Sequence, residues 1–184
     1  NDTLYGGAGD DIMSGARGTD YMDGGDGIDT YDFNPATAST TVDLAAGTTG
    51  ITFLDPAAEQ LLNFENINAG SGGDTLYGSE IANVINGNGG ADLIDGRDGD
   101  DTLFGGDGGD VIYDGEGADT VSGGAGDDFI VGGIGGDILN GDDGADTIIA
   151  GSGNDVISGG DGNDLFVFDD GTDNDLLTDF TAGA

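Results

Sequence analysis

The sequence predicts an all-β protein, a right-handed parallel β-solenoid in the form of a flattened coil with two parallel sheets. Three observations carry that expectation. An aspartate returns every nine residues along most of the chain, each time inside a glycine-rich loop. An apolar side chain follows each of these aspartates two residues later. Glycine supplies 41 of the 184 residues, without the three-residue period of a triple helix. A loop followed by a three-residue strand cannot stand alone, so such units must stack. If each unit is one loop and one strand, two units complete a turn of eighteen residues.

Taken in order, residues 1–32 form a first repeat block. Asn1 to Tyr5 read as the second half of a unit, which suggests a fragment or processed product of a longer chain. Units 6–14, 15–23 and 24–32 follow, with Asp11, Asp20 and Asp29 in the sixth place and Met13, Met22 and Tyr31 in the eighth. Residues 33–68 lack the loop pattern and hold both prolines, Pro35 and Pro56. Their length equals four units of nine, so this spacer is expected to keep the phase of the coil as ion-poor turns. Within it, Thr41 to Leu44 and Ile51 to Leu54 read as strands, and Leu61 to Ile67 lead back into the repeat.

Residues 69–167 form the main block, whose 99 residues divide into eleven units. Asp74, Asp92, Asp101, Asp110, Asp119, Asp128, Asp137, Asp146, Asp155 and Asp164 share one register, broken only at Asn83. The eighth places are Leu76, Ile85, Ile94, Leu103, Ile112, Val121, Ile130, Leu139, Ile148, Ile157 and Phe166. The last three places of each unit are expected to point out, in and out again, as a strand requires. Residues 168–184 leave the period. Asp175 and Leu177 keep the two-residue offset but slip the register by two, as in a capping strand.

The charge limits what the chain can do. There are 38 acidic residues against two arginines, Arg17 and Arg97, for a formal net charge of -36. Such a surface excludes nucleic acid as a partner, because phosphate binding needs basic residues. The absence of cysteine and histidine excludes disulfides and the usual nitrogen and sulfur sites for zinc or copper. No apolar run approaches the length of a membrane helix, and no signal peptide stands out. So many carboxylates oppose compaction unless cations neutralise them.

Stacked loops come from alternate units, so facing aspartates lie eighteen residues apart. One edge then pairs Asp74 with Asp92, and so on through Asp110, Asp128, Asp146 and Asp164. The other runs from Asp101 through Asp119 and Asp137 to Asp155. The first block adds Asp11 with Asp29 and Asp2 with Asp20. Two carboxylates with loop carbonyls make an all-oxygen cage. Roughly ten such cages are expected, each suited to calcium, which takes about 6–8 oxygens at about 2.3–2.6 Å. Asn83 is the weak rung, because it brings no charge and its unit lacks the fourth glycine.

Units such as Gly105-Gly106-Asp107-Gly108-Gly109-Asp110-Val111-Ile112-Tyr113 and Gly123-Gly124-Ala125-Gly126-Asp127-Asp128-Phe129-Ile130-Val131 resemble a known motif. It is the G-G-x-G-x-D-x-U-x nonapeptide of the RTX, or hemolysin-type calcium-binding, repeat proteins. The resemblance covers about three quarters of the chain. It implies a parallel β-roll with calcium in its glycine-rich turns, folding after type I secretion, and a secreted or cell-surface bacterial location. It also implies spacers like residues 33–68 and a closing strand ahead of a C-terminal secretion signal.

Outward side chains of alternate units form two faces. One carries Tyr77, Leu93, Val111, Tyr113, Phe129, Val131, Ile149, Leu165 and Val167, and is the more apolar. Such a stripe is expected to meet another chain, another domain or the spacer, with Tyr77, Val111, Tyr113, Phe129 and Val131 at its centre. Three functions are open: a calcium-responsive module, a calcium-dependent adhesin, surface-layer or filament subunit, and an accessory to an enzyme domain outside this chain. Catalysis by the chain itself is not expected. There is no histidine, no zinc-protease motif and no serine in a nucleophile elbow, and metal ligation accounts for the carboxylates.

Overall fold

Each unit folds as its pattern dictates: a glycine-rich turn, then a short strand with its middle side chain inward. The computed structural model describes residues 1–15, 20–34, 36–45, 48–50, 59–168 and 173–179. Arg17, Pro35, Pro56, the strand expected over 51–54 and the chain beyond 179 lie outside the described residues. Among the described residues the protein is all β, with one eleven-stranded and one nine-stranded sheet and no helix. The two sheets wind as a β-solenoid, as the repeat requires.

The period of eighteen is visible in the strand register. Leu93, Ile94 and Asp95 pair in parallel with Val111, Ile112 and Tyr113, which pair in turn with Phe129, Ile130 and Val131. The other sheet aligns Thr102, Leu103 and Phe104 with Thr120, Val121 and Ser122. Inward side chains therefore stack directly on one another. Leu76, Ile94, Ile112 and Ile130 form one column, and Ile85, Leu103, Val121 and Leu139 the other, all with no solvent exposure. β-Branched residues and leucine suit a parallel sheet whose inner face is dry.

The C-terminal slip is absorbed as the sequence indicates. The Leu176–Leu177 strand pairs with Val156 and Ile157, so Leu177 stands twenty residues from its neighbour instead of eighteen.

The spacer departs from expectation. In the nine-stranded sheet, Thr30, Tyr31 and Asp32 pair directly with Asn66, Ile67 and Asn68, so 36 residues are crossed in a single step. The phase is kept there, but as one layer and not as two turns. The excess chain enters the other sheet as the strands Thr41–Asp43, Thr48–Gly50 and Gln60–Leu62. Thr48–Gly50 runs antiparallel to both of its neighbours. The three strands lie side by side in one sheet before the chain crosses to Asn66–Asn68 in the other.

Bulkier groups fill the spacer's interior. Tyr31 stacks near Phe33 and meets Phe64 edge-on, with ring centroids 5.6 and 6.1 Å away. Its hydroxyl donates to Glu59 Oε2 at 2.5 Å. Arg97 ties the spacer to the main block through two parallel hydrogen bonds to Asp43, at 2.9 and 3.0 Å. The same guanidinium donates to the Gly78 carbonyl at 2.7 Å and lies 5.4 Å from the centre of the Tyr77 ring.

The apolar outer residues fall on the eleven-stranded sheet, as the repeat predicts. Val111, Phe129 and Val131 are half-buried among their lateral neighbours, whereas Tyr113, Leu165 and Val167 are exposed. The opposite sheet also exposes Val84, Phe104, Ile138 and Val156, so the two faces differ less in the structure than in the sequence.

Loops stack as closely as strands. Gly108 has φ +151°, and a Cβ there would collide with the Gly90 carbonyl of the preceding coil. A Cβ on Gly89 would have nothing nearer than 3.7 Å. Gly108→Ala should therefore destabilise the folded chain by more than about 2 kcal/mol, and Gly89→Ala by less than about 1 kcal/mol. Equilibrium unfolding of the two variants checks the contrast, and equal losses would refute it.

Candidate metal centres

The sixth residue of each unit closes the glycine-rich turn and enters the strand. This places successive aspartates of one edge above one another. The main-chain N–H of Asp74 donates to Oδ1 of Asp92 at 2.6 Å, that of Asp92 to Asp110 at 2.8 Å, and that of Asp110 to Asp128 at 2.7 Å. Asp128 and Asp146 continue the series to Asp146 and Asp164, at 2.8 and 3.1 Å. On the second edge the chain runs from Asp101 to Asp119, Asp137 and Asp155, at 2.7, 2.9 and 2.9 Å. Asp155 passes to Asp175 at 3.1 Å, across the twenty-residue step. The first block repeats the arrangement between Asp2 and Asp20 and between Asp11 and Asp29, at 2.6 and 2.8 Å.

From Asp20 and Asp29 onward, each ladder carboxylate that has such a partner thus spends one oxygen on the backbone of the coil before it. The second oxygen is left over. Oδ2 of Asp11, Asp20, Asp29, Asp74, Asp92, Asp101, Asp110, Asp119, Asp128, Asp137, Asp146 and Asp155 is buried without a hydrogen-bond partner. Asp164, in the last full unit, is only half-buried and does not join them. A buried polar atom without a partner is costly, and a charged one far more so.

The glycine that opens each unit shows where these oxygens point. A Cβ on Gly105 would strike both Asp110 Oδ2 and the carbonyl oxygen of Gly123 on the next coil. Gly87, Gly123 and Gly141 repeat the arrangement with Asp92 and Gly105, Asp128 and Gly141, and Asp146 and Gly159. Carboxylate and carbonyl oxygens converge in the space that a side chain would fill. This all-oxygen donor set fits a hard divalent cation such as calcium.

Asn83 shows the same position without the charge. It is 2% exposed, yet it leaves no oxygen orphaned. Its Oδ1 accepts the Ser79 N–H at 2.7 Å, and its Nδ2 donates to the Glu65 carbonyl at 2.6 Å. Hydrogen bonds do here what a cation would have to do at the other rungs. Oδ1 of Asp101 still accepts the Asn83 N–H at 2.7 Å, so the geometry of the ladder passes through unbroken.

Two acidic residues of the ladders were not singled out by the sequence pattern. Glu65 Oε2 accepts the Asp29 N–H at 2.8 Å, across 36 residues. It lies nine residues before Asp74, so extending the register one unit into the spacer would have found it. Asp114 is fully buried and carries an orphaned Oδ2 of its own. The visible signal was its place, the first of its unit, where glycine usually stands.

Burial pushes the carboxyls of Asp74, Asp92, Asp101, Asp110, Asp114, Asp119, Asp128, Asp137, Asp146 and Asp155 up from the ordinary aspartate value. Asp92, Asp101 and Asp128 rise to about 7, mainly through desolvation, with neighbouring carboxylates adding to it and backbone N–H groups opposing it. Asp137 rises to about 6 and Asp114 to about 8, again mainly by desolvation. The cation-free roll therefore binds more protons than the unfolded chain. Its stability is greatest below the unfolded carboxylate value and is lost as pH rises through about 6 to 8. With a chelator present, acidification from about pH 8 to about pH 5 should increase β structure by circular dichroism. A loss of β structure on acidification would contradict this.

A family model for the RTX calcium-binding nonapeptide repeat (4 copies) matches residues 1–31, 68–103, 77–112, 104–139 and 140–175. The unmatched stretch between 31 and 68 corresponds to the spacer, where the loop pattern lapses. No curated protein matches the chain. The matched segments cover more than half of the sequence and contain the ladders of buried aspartates, so the chain belongs to the family of RTX calcium-binding nonapeptide-repeat proteins.

Proposed function

We propose that the chain is a calcium-responsive module of a secreted bacterial protein, unfolded during type I export and folded outside the cell. The observation that carries this reading is the row of buried aspartate oxygens without partners. Asp11, Asp20, Asp29, Asp74, Asp92, Asp101, Asp110, Asp119, Asp128, Asp137, Asp146, Asp155 and Asp164 are the proposed ligands, in roughly ten cages. Bound calcium supplies the positive charge that these carboxylates lack.

The chain's own residues set the response. Without neutralisation, the aspartates of adjacent coils repel one another at the spacing that the strands impose. Each coil buries little more than one apolar side chain per strand, so the core alone opposes this weakly. Ligand binding that requires the folded cage becomes folding free energy. Affinities of roughly 10⁻⁴–10⁻³ M, as in other extracellular modules, would keep the chain unfolded in the cytosol and folded outside. The fold supplies structure, and its carboxylates are committed to backbone hydrogen bonds and cages. We read the chain itself as non-catalytic, and any enzymatic domain as lying elsewhere in its parent.

A second reading rests on the exposed apolar residues of the eleven-stranded sheet, where Leu165 is 57% and Tyr113 42% exposed. A surface of this kind suits lateral association in an adhesin or surface-layer subunit. Calcium-dependent polymers in sedimentation experiments would favour it.

Circular dichroism during calcium titration tests the leading reading. At about pH 8, β structure should appear cooperatively with calcium, and full β structure in chelator at that pH would overturn it. Asp110→Asn should lower the bound stoichiometry and raise the calcium midpoint, because Asp110 serves the cages on both sides of it. Asn83→Asp should do the reverse for stoichiometry, adding an ion while making the cation-free chain less compact. Calorimetric stoichiometries of the two variants check both expectations.

A further inference from the structure

One rung of the second ladder has a carboxylate beyond the repeat's own. Asp114 opens its unit at a place held by glycine or alanine in the other units of the main block. Its side chain has 0% exposure, and Asp119 and Asp137 beside it have 1% each. One carboxylate oxygen from each of the three lies within 4.8 Å of the others. Among the described residues no other acidic triad comes together in this way.

The hydrogen bonds of Asp114 leave it pointing into that cluster. Its Oδ1 accepts the N–H of Gly115 at 2.7 Å and that of Gly133, on the next coil, at 2.6 Å. Its Oδ2 has no partner, and neither has Oδ2 of Asp119 or of Asp137. Three buried carboxylates, each with an unpartnered oxygen, therefore meet in one water-excluded space, where the ordinary rungs bring two carboxylates together. Affinity of an oxygen cage for a hard cation rises with the number of charged ligands and with their rigidity.

On the reading of the ladders as calcium cages, we propose that Asp114, Asp119 and Asp137 form a three-carboxylate cation site that fills before the two-carboxylate rungs. The site lies inside the main block, with coils on both sides. An ion held there joins the 114–122 unit to the 132–140 unit. In a solenoid, where each coil depends on its neighbours, that junction is a starting point from which stacking spreads in both directions.

The test uses the full chain and calcium alone, with calorimetry under chelator competition and circular dichroism in parallel. The wild-type chain should show one tight binding event at lower calcium than the cooperative gain of β structure. Asp114→Gly restores the repeat's usual residue, and Asp114→Asn keeps the Oδ1 acceptor for Gly115 and Gly133 while removing the charge. Both should weaken the tight event by about tenfold or more, with the final β content retained. If Asp114→Asn behaves as wild type and only Asp114→Gly weakens binding, Asp114 is a loop brace and the proposal is overturned. It is equally overturned if neither variant changes the first event. Failure of the wild-type chain to gain β structure with calcium would instead overturn the reading of the ladders. A tight event abolished by Asp114→Asn would still identify this site in that case.

Discussion

The structure depends on one hydrogen bond repeated along two edges, from the N–H of an aspartate to the Oδ1 of the aspartate eighteen residues later. It fixes the side chain, sets the height of each coil and aims the second oxygen inward. It also stacks like charges at close range in a space without water. The same contact that aligns the coils therefore creates an electrostatic cost that the protein alone does not offset. Protons can relieve that cost at low pH, and cations at higher pH. A roll built this way is conditional on its solvent, and the condition is part of its construction.

The apolar columns and the carboxylate ladders are two readings of one register. Because Ile112 lies two positions after Asp110, as in every equivalent unit, bringing the apolar residues into contact also brings the aspartates into contact. Neither stack can form without the other. This explains why a slip of two residues at the C-terminal end moves Asp175 and Leu177 together, so that both still meet their partners on the preceding coil. Asn83 marks the limit of the rule. A neutral amide can hold the coil spacing by hydrogen bonding to Ser79 and Glu65, but it brings no charge to a cage.

The spacer crosses between the sheets without glycine-rich turns, from Asp32 to Thr41 and from Leu62 to Asn66, and between those crossings Thr48–Gly50 runs back antiparallel beside Thr41–Asp43. Aromatic packing around Tyr31 and the bidentate Arg97–Asp43 contact replace the repeat's own cohesion there. In a chain of net charge -36, Arg97 serves as an internal counterion where the repeat supplies no cage.

The sequence by itself determined the period, the parallel register, the two inward columns between Leu76 and Ile157 and the facing aspartates, because each follows from spacing along the chain. It also identified Asn83 as the uncharged rung and the slip at Leu177. Tertiary structure alone decided three things. The 36-residue spacer became one step in one sheet and three strands in the other, since a reversal depends on which neighbour the returning strand meets. The outer faces proved less unequal than their composition, because lateral packing half-buries Val111, Phe129 and Val131. Asp114 joined Asp119 and Asp137, because its side chain starts from the first place of its unit and the Gly133 N–H of the adjoining coil holds it inward.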